Sequence, residues 1–276
     1  MKNSGIWECL KKQGPCFLMK TRLKLLAVLF FLVPAFSAVA AEMFPPVVDL
    51  DAEKKHIVVI DPGHGGGDWG IAAGGAFEKT ITLETAKKLK EKLEKTEKDI
   101  SVFLTREEDD YITAENRAGS ANANAGSIFI SLHCDWYDSP DVGGYKVYYM
   151  AYNRKPQHAA GGGLKPWDSA QAEFTEKSRE LSTTITRYMQ AALLSEDSSR
   201  AAAGDNDVLP LGARREKGID SVLLRGVTMP AVIVELGNMN NRYDLSQLKD
   251  SKVINKIAYH LKEGIVHYLR DAEGER

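Results

Sequence analysis

Three short apolar runs, far apart in the chain, each carry one imidazole or carboxylate at or near their end. Ile57-Val58-Val59-Ile60 stops at Asp61-Pro62-Gly63 and is followed at once by His64. Ser127-Ile128-Phe129-Ile130-Ser131-Leu132 leads to His133, and Ala231-Val232-Ile233-Val234-Glu235-Leu236 encloses Glu235. Short runs rich in β-branched residues predict buried strands of the kind found in parallel sheets covered by helices. In such a sheet the carboxyl ends of the strands share one edge, where sites form. The three runs would then bring His64, His133 and Glu235 together.

The segments between these runs fit that plan. Gly65–Gly70 matches the spacing G-x-G-x-x-G, but the loop-like Ile71–Gly75 follows where a nucleotide site needs a helix. Glu78–Leu93 carries Ile81, Leu83, Ala86, Leu89 and Leu93 at roughly helical spacing. Glu78 opens that helix, either because the helix dipole favours an acid there or because it returns a carboxylate toward His64. Ile100–Thr105 reads as a strand, and the charged Arg106–Asp110 lacks the glycine and spacing of a calcium loop. Thr113 caps a helix to about Ala125, and Tyr145–Met150 reads as a strand. Ala151–Thr175, with Gly161–Gly163, Pro156, Pro166 and Trp167, is irregular and placed to wall or cover the site. Beyond it we expect a helix from Phe174 through Leu193, a strand at Asp220–Arg225 and a closing helix over Val253–Tyr268. The expectation is a single α/β domain over residues 56–272, with a twisted, mostly parallel sheet between helices.

Residues 1–40 read as a signal peptide. Lys20, Arg22 and Lys24 precede the apolar Leu25–Val33, and Ala38-Val39-Ala40 offers a small-x-small cleavage site. Met19 would start a signal of ordinary length, and residues 41–55 form a lead-in. The expected mature N-terminus is Ala41, which terminal sequencing of the exported protein checks; a retained apolar segment would mean an anchor instead. Cleavage removes Cys9 and Cys16, leaving Cys134 without a disulfide partner, so the fold must rest on its core. Net charge is −2, with no basic footprint for nucleic acid. The expected setting is outside the cytoplasm, the periplasm before the extracellular space, with no mature membrane anchor.

Glu235 sits in an apolar run where an unpaired charge is costly. Such an acid is paired, here with Arg214, Arg215 or Arg225, or it is neutral, or it works on a proton. His64, His133 and Glu78 have the composition of a two-histidine, one-carboxylate zinc site that leaves a position for water. The chain has neither H-E-x-x-H nor G-x-S-x-G. Cys134 adjoins His133, but strand neighbours point to opposite faces.

Taken together, Ile60-Asp61-Pro62-Gly63-His64-Gly65-Gly66, Glu78-Lys79, Thr105-Arg106, Glu115-Asn116-Arg117, Ser131-Leu132-His133, Gly143-Gly144 and Met229–Gly237 resemble the zinc-dependent N-acetylmuramoyl-L-alanine amidases. The resemblance runs in order from about His56 to Tyr268. It implies Zn2+ held by His64, Glu78 and His133, Glu235 as catalytic acid/base, and peptidoglycan as substrate. Asp135 and Thr82 stand where the family usually has Asn, and the insert does not resemble the blocking helix of some cell-division amidases. An activator or targeting partner is therefore left open. Two rival functions stay in view: a non-catalytic wall-binding or regulatory protein of the same fold, and a zinc peptidase cutting within the stem peptide.

Overall fold

The computed structural model describes residues 56–150, 167–194 and 221–274. All of them lie in the second of two units, Val48–Arg276. Residues 1–55, read above as a signal peptide and lead-in, and most of the insert fall outside the described residues. Among those described, no helix is long and apolar enough to cross a membrane.

In chain order the elements are β1 (His56–Pro62), β2 (Ala72–Ala73), β3 (Ala76–Phe77), α1 (Glu78–Thr96), β4 (Ile100–Leu104), α2 (Ala114–Ala123), β5 (Ile128–Asp135) and β6 (Lys146–Tyr149). A 3-10 helix (Trp167–Phe174) leads into α3 (Thr175–Leu194), followed by α4 (Val222–Arg225), β7 (Ala231–Asn238), α5 (Arg242–Leu248) and α6 (Ser251–Gly274). The main sheet runs β4-β1-β5-β7-β6. Its first four strands are parallel, and β6 adds an antiparallel edge. The expected α/β fold with a mostly parallel sheet is therefore present.

Both faces of the sheet are buried, which is why its strands show no polar alternation. One face packs Val58, Ile60, Ile130 and Val234 against Leu89 of α1, Ile185 of α3 and Leu261 of α6. The other packs Val59, Phe129 and Ile233 against Ala118 of α2 and Leu224 of α4. Small alanines let α2 approach the sheet closely, and Thr113 caps it by accepting from the Asn116 backbone N–H.

One expectation is corrected. Asp220–Arg225 does not form a strand; Val222–Arg225 is a single helical turn ending at Gly226. Leu224 is its buried residue, packed into the second core. A short apolar run does not separate strand from helix by periodicity, and here tertiary packing decides.

Candidate active site

The site stands at the carboxyl edge of β1, β5 and β7. Alternation assigns its residues to a face: Asp61, Ser131, His133 and Glu235 share the α2 side, while Cys134 points into the opposite core. His133 and Glu235 are paired positions on neighbouring strands. Gly63 N–H donates to Leu132 O (2.9 Å), extending the β1–β5 ladder one step beyond Pro62. A Cβ on Gly63 would lie 2.5 Å from the His133 ring, so only glycine lets the chain pass there.

The next residue turns sharply. His64 has φ 59°, an unusual value for a side-chain-bearing residue, and the surrounding contacts hold it there. Arg117 donates to His64 O (2.8 Å) and Pro62 O (2.7 Å). Arg106 donates to Pro62 O (3.0 Å) and Gly63 O (2.9 Å), and Thr82 Oγ1 adds a second donor to Gly63 O (2.9 Å). Beneath them Asp61, fully buried, accepts from Arg117 Nη1 (2.7 Å), Ser131 Oγ (2.7 Å) and Thr105 Oγ1 (2.5 Å). Three consecutive carbonyls are thus fixed by two buried guanidinium groups.

Glu78 completes the set. It begins α1 with no side-chain cap from Phe77, and its carboxylate is held from both sides. Oε2 accepts from Ile71 N–H and Oε1 from Cys134 N–H, each at 2.9 Å. His64 Nε2 and His133 Nδ1 both stand 3.1 Å from Glu78 Oε1. Asp68 Oδ2 lies 2.8 Å from His64 Nδ1 and orients that ring. One donor atom from each of His64, Glu78 and His133 lies within 4.8 Å of the other two. Donors around a tetrahedral zinc with bonds of about 2.0–2.1 Å stand about 3.3 Å apart, so the nitrogen and oxygen positions fit such an ion. Gly70 (φ 62°) closes the back, where a Cβ would meet Glu78 Oε2 at 2.6 Å and the His64 ring at 2.7 Å.

Electrostatics divide the two glutamates. Burial acts to raise the Glu78 carboxyl, but its contacts with His133 and then His64 outweigh it and hold it well below the usual range. Burial likewise acts to lower His64, and Glu78 and Asp68 reverse this into a net rise. Glu235 has no such support. Burial pushes its carboxyl from 4.5 up to about 7, only partly opposed by His133. Its Oε2 is buried with no hydrogen-bond partner among the described residues. Glu235 lines a cleft of about 310 Å³ together with His64, His133, Tyr111, Arg117 and Ile233 among others.

Of the four residues expected from the sequence, His64, His133 and Glu235 line one cleft, and the buried Glu78 touches both histidines. Trp167 starts the 3-10 helix, but the insert before it lies outside the described residues, as do Arg214 and Arg215. Sequence reasoning missed the roles of Asp61, Asp68 and Arg106, and read Arg117 only as a helix position. Thr82 and Asp135, where Asn was expected, both make hydrogen bonds: Thr82 to Gly63 O and Asp135 to the Tyr137 hydroxyl.

Fold and site together define an α/β domain with a candidate His64/Glu78/His133 metal site at the carboxyl edge of its sheet. The chain belongs to the N-acetylmuramoyl-L-alanine amidase family, which matches residues 58–267. It is 27% identical to the N-acetylmuramoyl-L-alanine amidase AmiA of Escherichia coli, over 78% of this chain and 76% of that protein. Identity to AmiC of Neisseria meningitidis serogroup B is 26%, over 78% of this chain and 53% of that protein. The chain spans about half the length of the first curated relatives it matches, 53% and 57%. Its fold is similar to the catalytic domain of CwlV, an N-acetylmuramoyl-L-alanine amidase from Bacillus (Paenibacillus) polymyxa, with TM-score 0.59, 25% identity and coverage of 78% of this chain and 98% of that one.

Proposed function

We propose that this protein is an exported peptidoglycan amidase that hydrolyses the bond between the lactyl group of N-acetylmuramic acid and the L-alanine of the stem peptide. The observation that carries the reading is a buried Glu235 carboxylate oxygen, unpartnered among the described residues, on a residue that lines one cleft with two of the three convergent donors, His64 and His133. Family membership supports the bond cleaved. The basic and apolar segment before Ala41 supports export, the periplasm before the extracellular space.

His64, Glu78 and His133 would hold Zn2+, with residues 56–272 forming the catalytic domain. When bound, the ion supplies positive charge that polarises the scissile carbonyl and lowers the pKa of water toward about 7. The chain does the rest. Asp68 and the Ile71 and Cys134 amides keep the donors aimed, so little reorganises during reaction. Glu235, desolvated and with its Oε2 unpartnered among the described residues, takes the proton of the attacking water and delivers it to the departing alanine nitrogen.

Digestion of defined muropeptides by the purified protein, with and without chelator, tests the reading by mass spectrometry. A free lactyl carboxyl and a new N-terminal alanine are expected, and both should disappear with chelator. Cuts inside the stem would make the protein a zinc peptidase. Binding to wall without products would make it a non-catalytic wall protein. Metal content gives a separate check. The purified protein should carry about one zinc, as three protein ligands make one open site. His64→Ala and His133→Ala should each lose it, and normal zinc in both would sink the ligand assignment.

A further inference from the structure

We propose that Lys146, one strand beyond Glu235 and outside the cleft lining, is a specificity residue that binds a free carboxylate on the peptide side of the scissile amide. The proposal rests on the amidase reading above. Its basis is a row of side chains across three strands: His133 pairs with Glu235, and Glu235 pairs in turn with Lys146. Directly paired residues project from the same face, so Lys146 stands next to Glu235 on the site's side of the sheet.

Its ammonium is held but not neutralised by a tight partner. Nζ lies 3.5 Å above the Tyr137 ring and 3.4 Å from Asp135 Oδ2. Asp135 is already engaged, accepting from the Tyr137 hydroxyl and from Trp136 N–H. An ammonium has three donors, and a long contact with a shared carboxylate together with a hydrogen bond to Tyr148 leaves it able to take another acceptor. The side chain is 20% exposed, enough to be reached and little enough to be weakly screened.

Distance selects the peptide side. Neighbouring strands are about 4.8 Å apart, so β6 lies roughly 10 Å from β5. An extended peptide advances about 3.3–3.6 Å per residue. A stem running from the His133 end across Glu235 reaches Lys146 with its second or third residue. A substrate with glutamate after the alanine, linked onward through its γ-carboxyl, would present its α-carboxyl there, either free or amidated. The sugar side offers no comparable acid, since the lactyl carboxyl is tied into the scissile amide.

The test uses N-acetylmuramoyl-L-alanyl-D-glutamate with its γ-carboxyl blocked as the methylamide, as the free α-acid and as the α-amide, on the full chain and on Lys146→Met and Lys146→Glu. The natural chain should favour the free acid by about tenfold in kcat/KM, carried by KM, and the preference should shrink with added salt. Lys146→Met should bring the ratio near one, and Lys146→Glu should reverse it. An unchanged ratio in both variants overturns the proposal. If neither compound is cleaved, the amidase reading is what fails, and calorimetric binding of the same two compounds still decides for Lys146. Equal affinities in the natural chain and Lys146→Met would then reject it.

Discussion

Glu235→Gln is expected to fold, to keep its metal and to turn muropeptides over at least about a hundredfold more slowly, since positioned proton-transfer groups contribute about 10²–10⁴-fold. The amide conserves shape and cannot accept the water proton. KM should change little, because the missing interaction belongs to the transition state. The same substitution has an opposite effect on stability. Burial raises the natural carboxyl to about 7 from an ordinary 4.5, so the metal-free fold is favoured by its neutral form. That stabilisation is full below about pH 4.5 and is lost as pH rises through about 7, a swing of up to about 3 kcal/mol. Glutamine does not titrate. In chelator, urea unfolding should therefore show Glu235→Gln gaining on the natural chain between about pH 5 and pH 8. A difference constant across that range would mean the carboxyl is not desolvated. Near-normal turnover would mean another group is the base, and loss of zinc would make Glu235 a ligand.

This opposition explains why Glu235 was legible in the sequence. A carboxylate inside Ala231–Leu236 breaks the rule that buried strands exclude unpaired charge, and such breaks mark function. Asp61 ends Ile57–Ile60 in the same way, yet it is structural, held by Arg117, Ser131 and Thr105. Nothing in the local pattern separates the two acids. What separates them is whether donors from distant segments arrive, and Arg117 lies 56 positions away. The strands and amphipathic helices were legible because their periodicity is local. The turn Val222–Arg225 was not, because four residues, three of them apolar, carry too little periodicity to compete with packing. The Ala72–Ala73 and Ala76–Phe77 hairpin was hidden for a related reason: its paired segments are two residues each, and only the Gly74-Gly75 turn marks it.

The Asp61–Arg117 pair is where the second large effect is expected. Asp61→Ala should cost about 3–5 kcal/mol, because removing one partner strands the other as a buried charge. Arg117 is 5% exposed, and its remaining acceptors are neutral carbonyls of Pro62, His64 and Ile112. Thr105 and Ser131 lose an acceptor at the same moment. The damage should extend to the site, since Arg117 also holds the carbonyl of His64 in its left-handed turn. Zinc affinity should therefore fall together with stability, although Asp61 touches none of the three donors. A double-mutant cycle with Arg117→Met separates charge from packing. If an uncompensated guanidinium is the main cost, Asp61→Ala with Arg117→Met will be less destabilised than the sum of the two single changes, by more than about 1 kcal/mol. Strict additivity in urea unfolding would mean that the pair acts only by filling space, and the left-handed His64 would then owe its position to Arg106 and Thr82 acting on Gly63.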